Sequence, residues 1–105
     1  MELIETPIFT RIIVGILSDD DYSNMQWLLA INPEAGPVIP GCGGLRKLRW
    51  RTSDKGKRGG VRIIYYVYAR DQVVYLLYAY KKSRQEDLTH KQLRILKDYI
   101  KESIL

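Results

Sequence analysis

The sequence predicts an α+β fold in which two N-terminal helices precede an antiparallel sheet of three or more strands and a C-terminal helix ends the chain. Three observations predict it. Apolar residues recur at helical spacing up to Ile31, the period falls to two from Leu45 to Tyr80, and helical spacing returns after Thr89. A length of 105 residues suits one small domain, read here as residues 1–105, because separate hydrophobic cores need more chain. The 46% apolar content is ordinary for a globular chain and argues against disorder.

Thr6 followed by Pro7 reads as a helix cap and a first helical residue, and Ile8, Ile12 and Ile16, with Phe9 and Ile13, then mark a helix over residues 7–17. Ser18 starts a second helix. Asp19, Asp20 and Asp21 lie favourably against its positive end, Met25, Leu28, Leu29 and Ile31 give it an apolar stripe, and Pro33 stops it. Residues 32–44, NPEAGPVIPGCGG, hold too much Pro and Gly for a regular element and are read as an internal loop. From Leu45 the period is two: Leu48 and Trp50 share one face of a strand, and Lys47, Arg49 and Arg51 share the other.

The runs VRIIYYVYA (61–69) and VVYLLYAY (73–80) read as two further strands, joined by a tight turn near Arg70, Asp71 and Gln72. Between the first two strands lies TSDKGKRGG, a long basic hairpin loop. Thr89 with Gln92 makes a capping-box pattern, and Leu93, Leu96, Ile100 and Ile104 fall on one side of the last helix. No internal repeat suggests a solenoid.

Charge divides unevenly. Residues 1–40 carry net −5 and residues 41–105 net +10, so an anionic partner is expected to meet the second half. The densest stretch is 46–62, RKLRWRTSDKGKRGGVR, where eight of seventeen side chains are Lys or Arg and only Asp54 opposes them. Crowded like charges repel one another in a compact state, so such a cluster points to a phosphate-rich partner. No apolar run approaches the roughly 20 residues that span a bilayer, and Glu2 and Glu5 without a basic flank argue against a signal peptide, so no membrane partner and a cytoplasmic location are expected. One cysteine, Cys42, allows no internal disulfide, and with the single histidine, His90, it makes no ordinary zinc site; neither metal nor cofactor is expected.

Lys55, Lys57 and Arg58 on the loop are continuous with Lys47, Arg49 and Arg62, which strand pairing would bring to one side of a sheet. Ribose-phosphate is the partner that best explains this set. Lys81 and Arg84 extend it, and the tyrosines of 65–80 offer stacking surfaces; three or four of these are expected to bury their rings, with Tyr80, beside KKSR, facing a ligand. GCGGL lacks a following Lys-Ser/Thr and leads into a strand, so its glycines are read as turn residues. His90 is read as a surface residue, Cys42 as a small loop residue and Asp19–Asp21 as capping acids.

The combination GCGGLRKLRW, KGKRGGVRIIYYVY and YLLYAYKKSRQEDLT resembles the RelE/ParE superfamily of bacterial toxins, and most of all its HigB-type branch with two leading helices, over about residues 6–100. The resemblance implies a RelE-like microbial ribonuclease fold and a toxin of a type II toxin-antitoxin system that cleaves mRNA in the ribosomal A site. It also implies a cognate antitoxin, HigA-like with a helix-turn-helix, and contact with operator DNA only through the antitoxin complex. By position, Lys47 and Arg49 match the paired basic residues of the family's first core strand, Arg62 the arginine opening the next, and Lys82 the basic residue after the last. Where some RelE enzymes carry a functional tyrosine this chain reads EDLTH, and it lacks the histidines of some HigB enzymes.

RNA self-cleavage requires a 2′-hydroxyl to lose its proton, the phosphorane charge to be stabilised and the 5′-oxygen to be protonated. A lysine crowded by other cations has its charged form disfavoured, which makes Lys47 the expected base and Lys82 or Lys57 the expected acid, while Arg49 and Arg62 hold the phosphate. Two other functions compete with a metal-independent nuclease: a ParE-like gyrase inhibitor, which shares the fold without the catalytic basic set, and a plain nucleic-acid-binding module.

Overall fold

The computed structural model describes residues 1–53 and 59–105. Strand β1 (Glu2–Glu5) is followed by helices α1 (Pro7–Ile16) and α2 (Asp19–Ile31), strands β2 (Arg46–Trp50), β3 (Val61–Tyr68) and β4 (Val73–Lys81), and helix α3 (His90–Tyr99), which continues as a wider turn over Ile100–Ile104. The strand order is β1-β4-β3-β2. β2, β3 and β4 form the expected antiparallel meander, and β1 adds to β4 in parallel, so the sheet is mixed. β1 was not expected, because ELIE is four residues long with two glutamates, too short for a period to register.

Each helix starts where its cap residue dictates. The Ser18 hydroxyl accepts the Asp21 N–H at 3.1 Å, and Thr89 and Gln92 close a full capping box at the start of α3. α1 and α2 bury Phe9, Ile13, Met25 and Leu29 against Leu48, Ile63, Tyr65, Val74 and Leu76 on one face of the sheet. The other face packs Ile64, Leu77 and Tyr80 against Cys42, Leu45, Leu88 and Ile100. Each large side chain fully buried in these cores contributes about 1.5–3 kcal/mol. Among the described residues no helix is long and apolar enough to cross a membrane.

The Pro- and Gly-rich loop covers the edge of β2. Val38 bridges Arg46, the Lys47 N–H donates to the Pro37 carbonyl at 3.1 Å, and Ile39 N–H to the Leu45 carbonyl at 2.8 Å. Gly36 makes this approach possible, since a Cβ there would lie 2.9 Å from the backbone of Lys47 and Leu48. Tyr65 pins the loop from beneath: its hydroxyl accepts the Gly36 N–H and donates to the Pro33 carbonyl, both at 2.8 Å.

One irregularity sets the phase of β4. Ile64 pairs with Tyr78 but Tyr65 pairs with Leu76, leaving Leu77 as an extra residue, a β-bulge. Leu76 and Ala79 therefore point into the α1/α2 core, whereas Leu77, Tyr78 and Tyr80 all face the opposite side. Thr6 is built onto this bulge. Its hydroxyl accepts the Phe9 N–H at 3.2 Å as the α1 cap and donates to the carbonyl of Leu77 at 3.2 Å, while its own N–H reaches the Leu76 carbonyl at 3.0 Å.

Thr6→Ala removes a cap and leaves a buried carbonyl without its donor, so it should destabilise the fold by about 1–3 kcal/mol. Thr6→Ser keeps both hydrogen bonds and should recover most of that. Urea unfolding of the two variants checks this; equal midpoints would refute the double role.

Candidate nucleic-acid interface

Strand pairing puts the predicted catalytic residues on one face. Arg49 is directly opposite Arg62, which is opposite Tyr80, so the three form a row across β2, β3 and β4. Lys47, Ile64 and Tyr78 form the next row. Lys82, whose N–H donates to the Gly60 carbonyl at 3.1 Å, continues the phase of Tyr80 beyond the strand end. Without the bulge at Leu77, Tyr80 and Lys82 would lie on the helix-covered face.

Arg62 is the least exposed of these cations, at 6% of its surface. Its guanidinium donates to the Gly59 carbonyl. Among the described residues neither Arg62 nor Arg49 forms an ion pair, so two like charges stand directly opposite each other, an arrangement that disfavours folding. With Trp50, Arg51, Thr52, Gly59 and Gly60 these arginines line a cleft of about 570 Å³. Gly60 fits where no side chain could, because a Cβ there would collide with the Trp50 carbonyl oxygen, and its φ of +61° is the left-handed conformation glycine adopts freely.

Tyr80, expected to face a ligand, is only 5% exposed, because it belongs to the second core together with Leu88 and Ile100. Burial first, and then the charge of Asp87, push its phenol up to about 12, with Arg62 pulling the other way. It keeps its proton at physiological pH. Its hydroxyl is buried and has no hydrogen-bond partner among the described residues.

The two lysines depart from the expectation of a purely cationic setting. Lys47 Nζ donates to Asp87 Oδ1 at 3.3 Å, and Lys82 Nζ donates to the Glu86 carbonyl at 2.8 Å with the Glu86 carboxylate 3.7 Å away. The acids of the β4–α3 loop thus offset the crowding on which the assignment of Lys47 as base relied. Asp87 is held below the usual carboxylate range by the Leu88 N–H foremost and by its hydrogen bond and attraction to Lys47.

Of the remaining assignments, Lys81 pairs with Val61, out of phase with the basic face, and Arg84 is exposed on the turn after β4. Lys55, Lys57 and Arg58 lie outside the described residues. Asp21, read as a capping acid, does more: its carboxylate accepts the Ser53 N–H at 3.1 Å and the Ser53 hydroxyl at 3.0 Å, anchoring the end of the β2 segment to α2 where the basic loop departs. Nothing in DDDY distinguishes Asp21 from Asp19 and Asp20 except that the helical stripe of Met25 and Leu29 passes through it. Among the described residues no three His, Cys, Asp or Glu side chains come together as metal ligands would.

A family model described as the RelE toxin of the RelE/RelB toxin-antitoxin system matches residues 39–104, more than half of the chain, including all four strand and turn positions of the basic face. The fold is similar to the E. coli RelBE toxin-antitoxin complex, at a TM-score of 0.58 and 19% identity over 76% of this chain and 94% of that one. It is similar also to a mutant of E. coli toxin RelE in the free state, at a TM-score of 0.60 and 20% identity over 81% of this chain and 86% of that one. The segment before residue 39, with β1, α1 and α2, lies outside the family match.

The anchoring acid makes a pH prediction. The Asp21 carboxyl is lowered by the Ser53 N–H foremost, so its ionised form favours folding; that stabilisation is complete above the unfolded value of about 4 and is lost as pH falls through the lower folded value. Denaturation midpoints of the wild type and Asp21→Asn should differ at neutral pH and converge as pH falls below the usual carboxylate range. A gap that stays constant over that range would show that another group carries the effect.

Proposed function

This chain belongs to the RelE toxin family of toxin-antitoxin systems, and from that premise we propose that it is a ribosome-dependent, metal-independent endoribonuclease of the HigB type. In this reading residues 1–105 form one toxin domain, act in the cytoplasm and cut mRNA in the A site, inhibiting translation. A cognate antitoxin, HigA-like with a helix-turn-helix, holds the enzyme inactive, and operator DNA is met only through their complex.

The observation that carries the reading is the Arg49–Arg62 row. A buried arginine facing another arginine across a strand pair disfavours folding, and an anion between the two would reverse the sign of that energy. A scissile phosphate is such an anion. In the reaction the 2′-hydroxyl loses its proton to solvent water as its oxygen attacks phosphorus, the P–O5′ bond breaks, the leaving 5′-oxygen takes up a proton, and the products are a cyclic phosphate and a 5′-hydroxyl. Negative charge grows on the non-bridging oxygens in between, where two guanidiniums stabilise it most. In this reading Lys82, beside the row and tied to the β4–α3 loop, gives the proton to the leaving 5′-oxygen.

The direct test incubates the protein with ribosomes translating a defined mRNA and maps new 5′ ends. Cuts confined to the A-site codon and dependent on ribosomes are expected; none at all would sink the proposal in favour of a binding module, and gyrase inhibition would favour the ParE-like class. Arg62→Lys, which retains the charge but loses the planar fork, should lower the cleavage rate by about 100-fold while the thermal midpoint changes little.

Binding gives a second check. With at least four cations meeting phosphates, log affinity for the programmed ribosome or for single-stranded RNA should fall against log salt with a slope of roughly −3. A flat dependence would remove the electrostatic argument.

A further inference from the structure

We propose that Asp87 is a positioning residue: it holds the Lys47 ammonium beside the Arg49–Arg62 row so that this lysine meets the phosphate as a fixed cation. The inference rests on the ribonuclease reading and names a residue of the chain that the sequence left without a role. A carboxylate on this face repels RNA, so as a plain solvated charge it would oppose the partner the rest of the face attracts. Its geometry supplies the compensating role.

Asp87 is itself fixed before it holds anything. Its Oδ1 accepts the N–H of Leu88 at 2.9 Å, and the same oxygen accepts Lys47 Nζ. Its main-chain carbonyl accepts Gln85 Nε2 at 2.8 Å, Gln85 also donates to Gln92, and Gln92 Oε1 accepts the Thr89 N–H at 3.0 Å. The loop that carries Asp87 is thereby tied to the α3 capping box, which is anchored beside Leu88 in the second core. Lys47, by contrast, sits on a flexible four-carbon stem with about 2 kcal/mol of rotamer entropy to lose on being placed.

The pair lies at the rim of a cleft of about 220 Å³ lined by Pro37, Ile39, Leu88 and Leu93, so apolar walls restrict where the stem can go. Tied to the Asp87 carboxylate, the Lys47 side chain is held where it can meet the phosphate.

The side chain of Asp87 is 70% exposed, so substitution leaves the cores untouched. Asp87→Asn is the informative change, because the amide oxygen can still accept from Leu88 while the charge is gone. In cleavage of mRNA on programmed ribosomes, Asp87→Asn should lower kcat by about 10- to 100-fold with KM changed less than about threefold, and Asp87→Glu should restore part of the loss.

The second readout needs no cleavage. Acetylation of the free protein by an amine-reactive ester, followed by mass spectrometry of the peptide holding Lys47, should be faster at Lys47 in Asp87→Asn than in wild type, and unchanged at the exposed Lys91. If wild type cuts mRNA and Asp87→Asn cuts equally well or better, Asp87 is a mere counter-ion and the proposal falls. If wild type does not cut at all, the ribonuclease reading fails on its own account, and an unchanged acetylation rate at Lys47 still overturns the contact that the inference depends on.

Discussion

The hydroxyl of Thr6 is the point on which the basic face depends. It caps α1 and, with the same oxygen, donates to the carbonyl of Leu77, the extra residue of the β4 bulge. A bulge leaves a carbonyl without a ladder partner, and a buried carbonyl in that state costs about 1–3 kcal/mol. Thr6 supplies the partner from outside the sheet. Because the side-chain period of a strand is two, that single inserted residue moves every later side chain of β4 to the opposite face. Tyr78, Tyr80 and Lys82 join Lys47, Arg49 and Arg62 only through this shift, so a helix cap at residue 6 and a cation at residue 82 are parts of one arrangement.

The rest of the molecule makes that face tolerable to fold. Two arginines directly opposite one another and a guanidinium only slightly exposed work against stability. Offsetting them are the two cores on either side of the sheet, the Gly59 carbonyl that receives Arg62, and the acids of the β4–α3 loop that take up Lys47 and Lys82. The Asp21 carboxylate does for Ser53 what Asp87 does for Lys47, fixing a segment at the margin of the cleft through a charged acceptor. The cationic row itself stays without a carboxylate among the described residues, and that is the one place where an incoming phosphate adds the most.

Much of this was legible in the sequence, and what was not has definite physical reasons. Helical spacing at 7–31, alternation through Lys47–Trp50 and the Thr89–Gln92 capping box each announce themselves locally, because one period or one side-chain pair suffices. The coplanarity of Lys47, Arg49 and Arg62 followed from pairing alone. Three features did not announce themselves. ELIE is too short for a period, and its pairing with Val73–Leu76 joins segments some seventy residues apart. YLLYAY shows no break, because a bulge between two leucines changes no residue type; alternation extrapolated through it would put Tyr80 on the wrong side. Asp87 reads as a solvent-exposed loop acid, since its meeting with Lys47 depends on a loop crossing the sheet end. Charge density, likewise, revealed the cations but not the carboxylates that come to meet them.

The strand order turns part of the division of charge along the chain into a division in space. β1, with Glu2 and Glu5, occupies one edge of the sheet, and β2, with Lys47 and Arg49, occupies the other, with β4 and β3 between them. Each intervening strand adds about 4.8 Å, so the two edges lie roughly 14 Å apart, more than a Debye length at physiological salt. An approaching polyanion therefore feels attraction at one edge and no compensating attraction at the other, which orients it before contact. β1 pairs with β4 and not with β2, which seats Glu2 and Glu5 at the sheet edge away from the cleft. The fold thus sets the two glutamates of β1 and the paired cations of β2 on opposite edges of the sheet, while Asp21 stays beside the cleft as the anchor of Ser53.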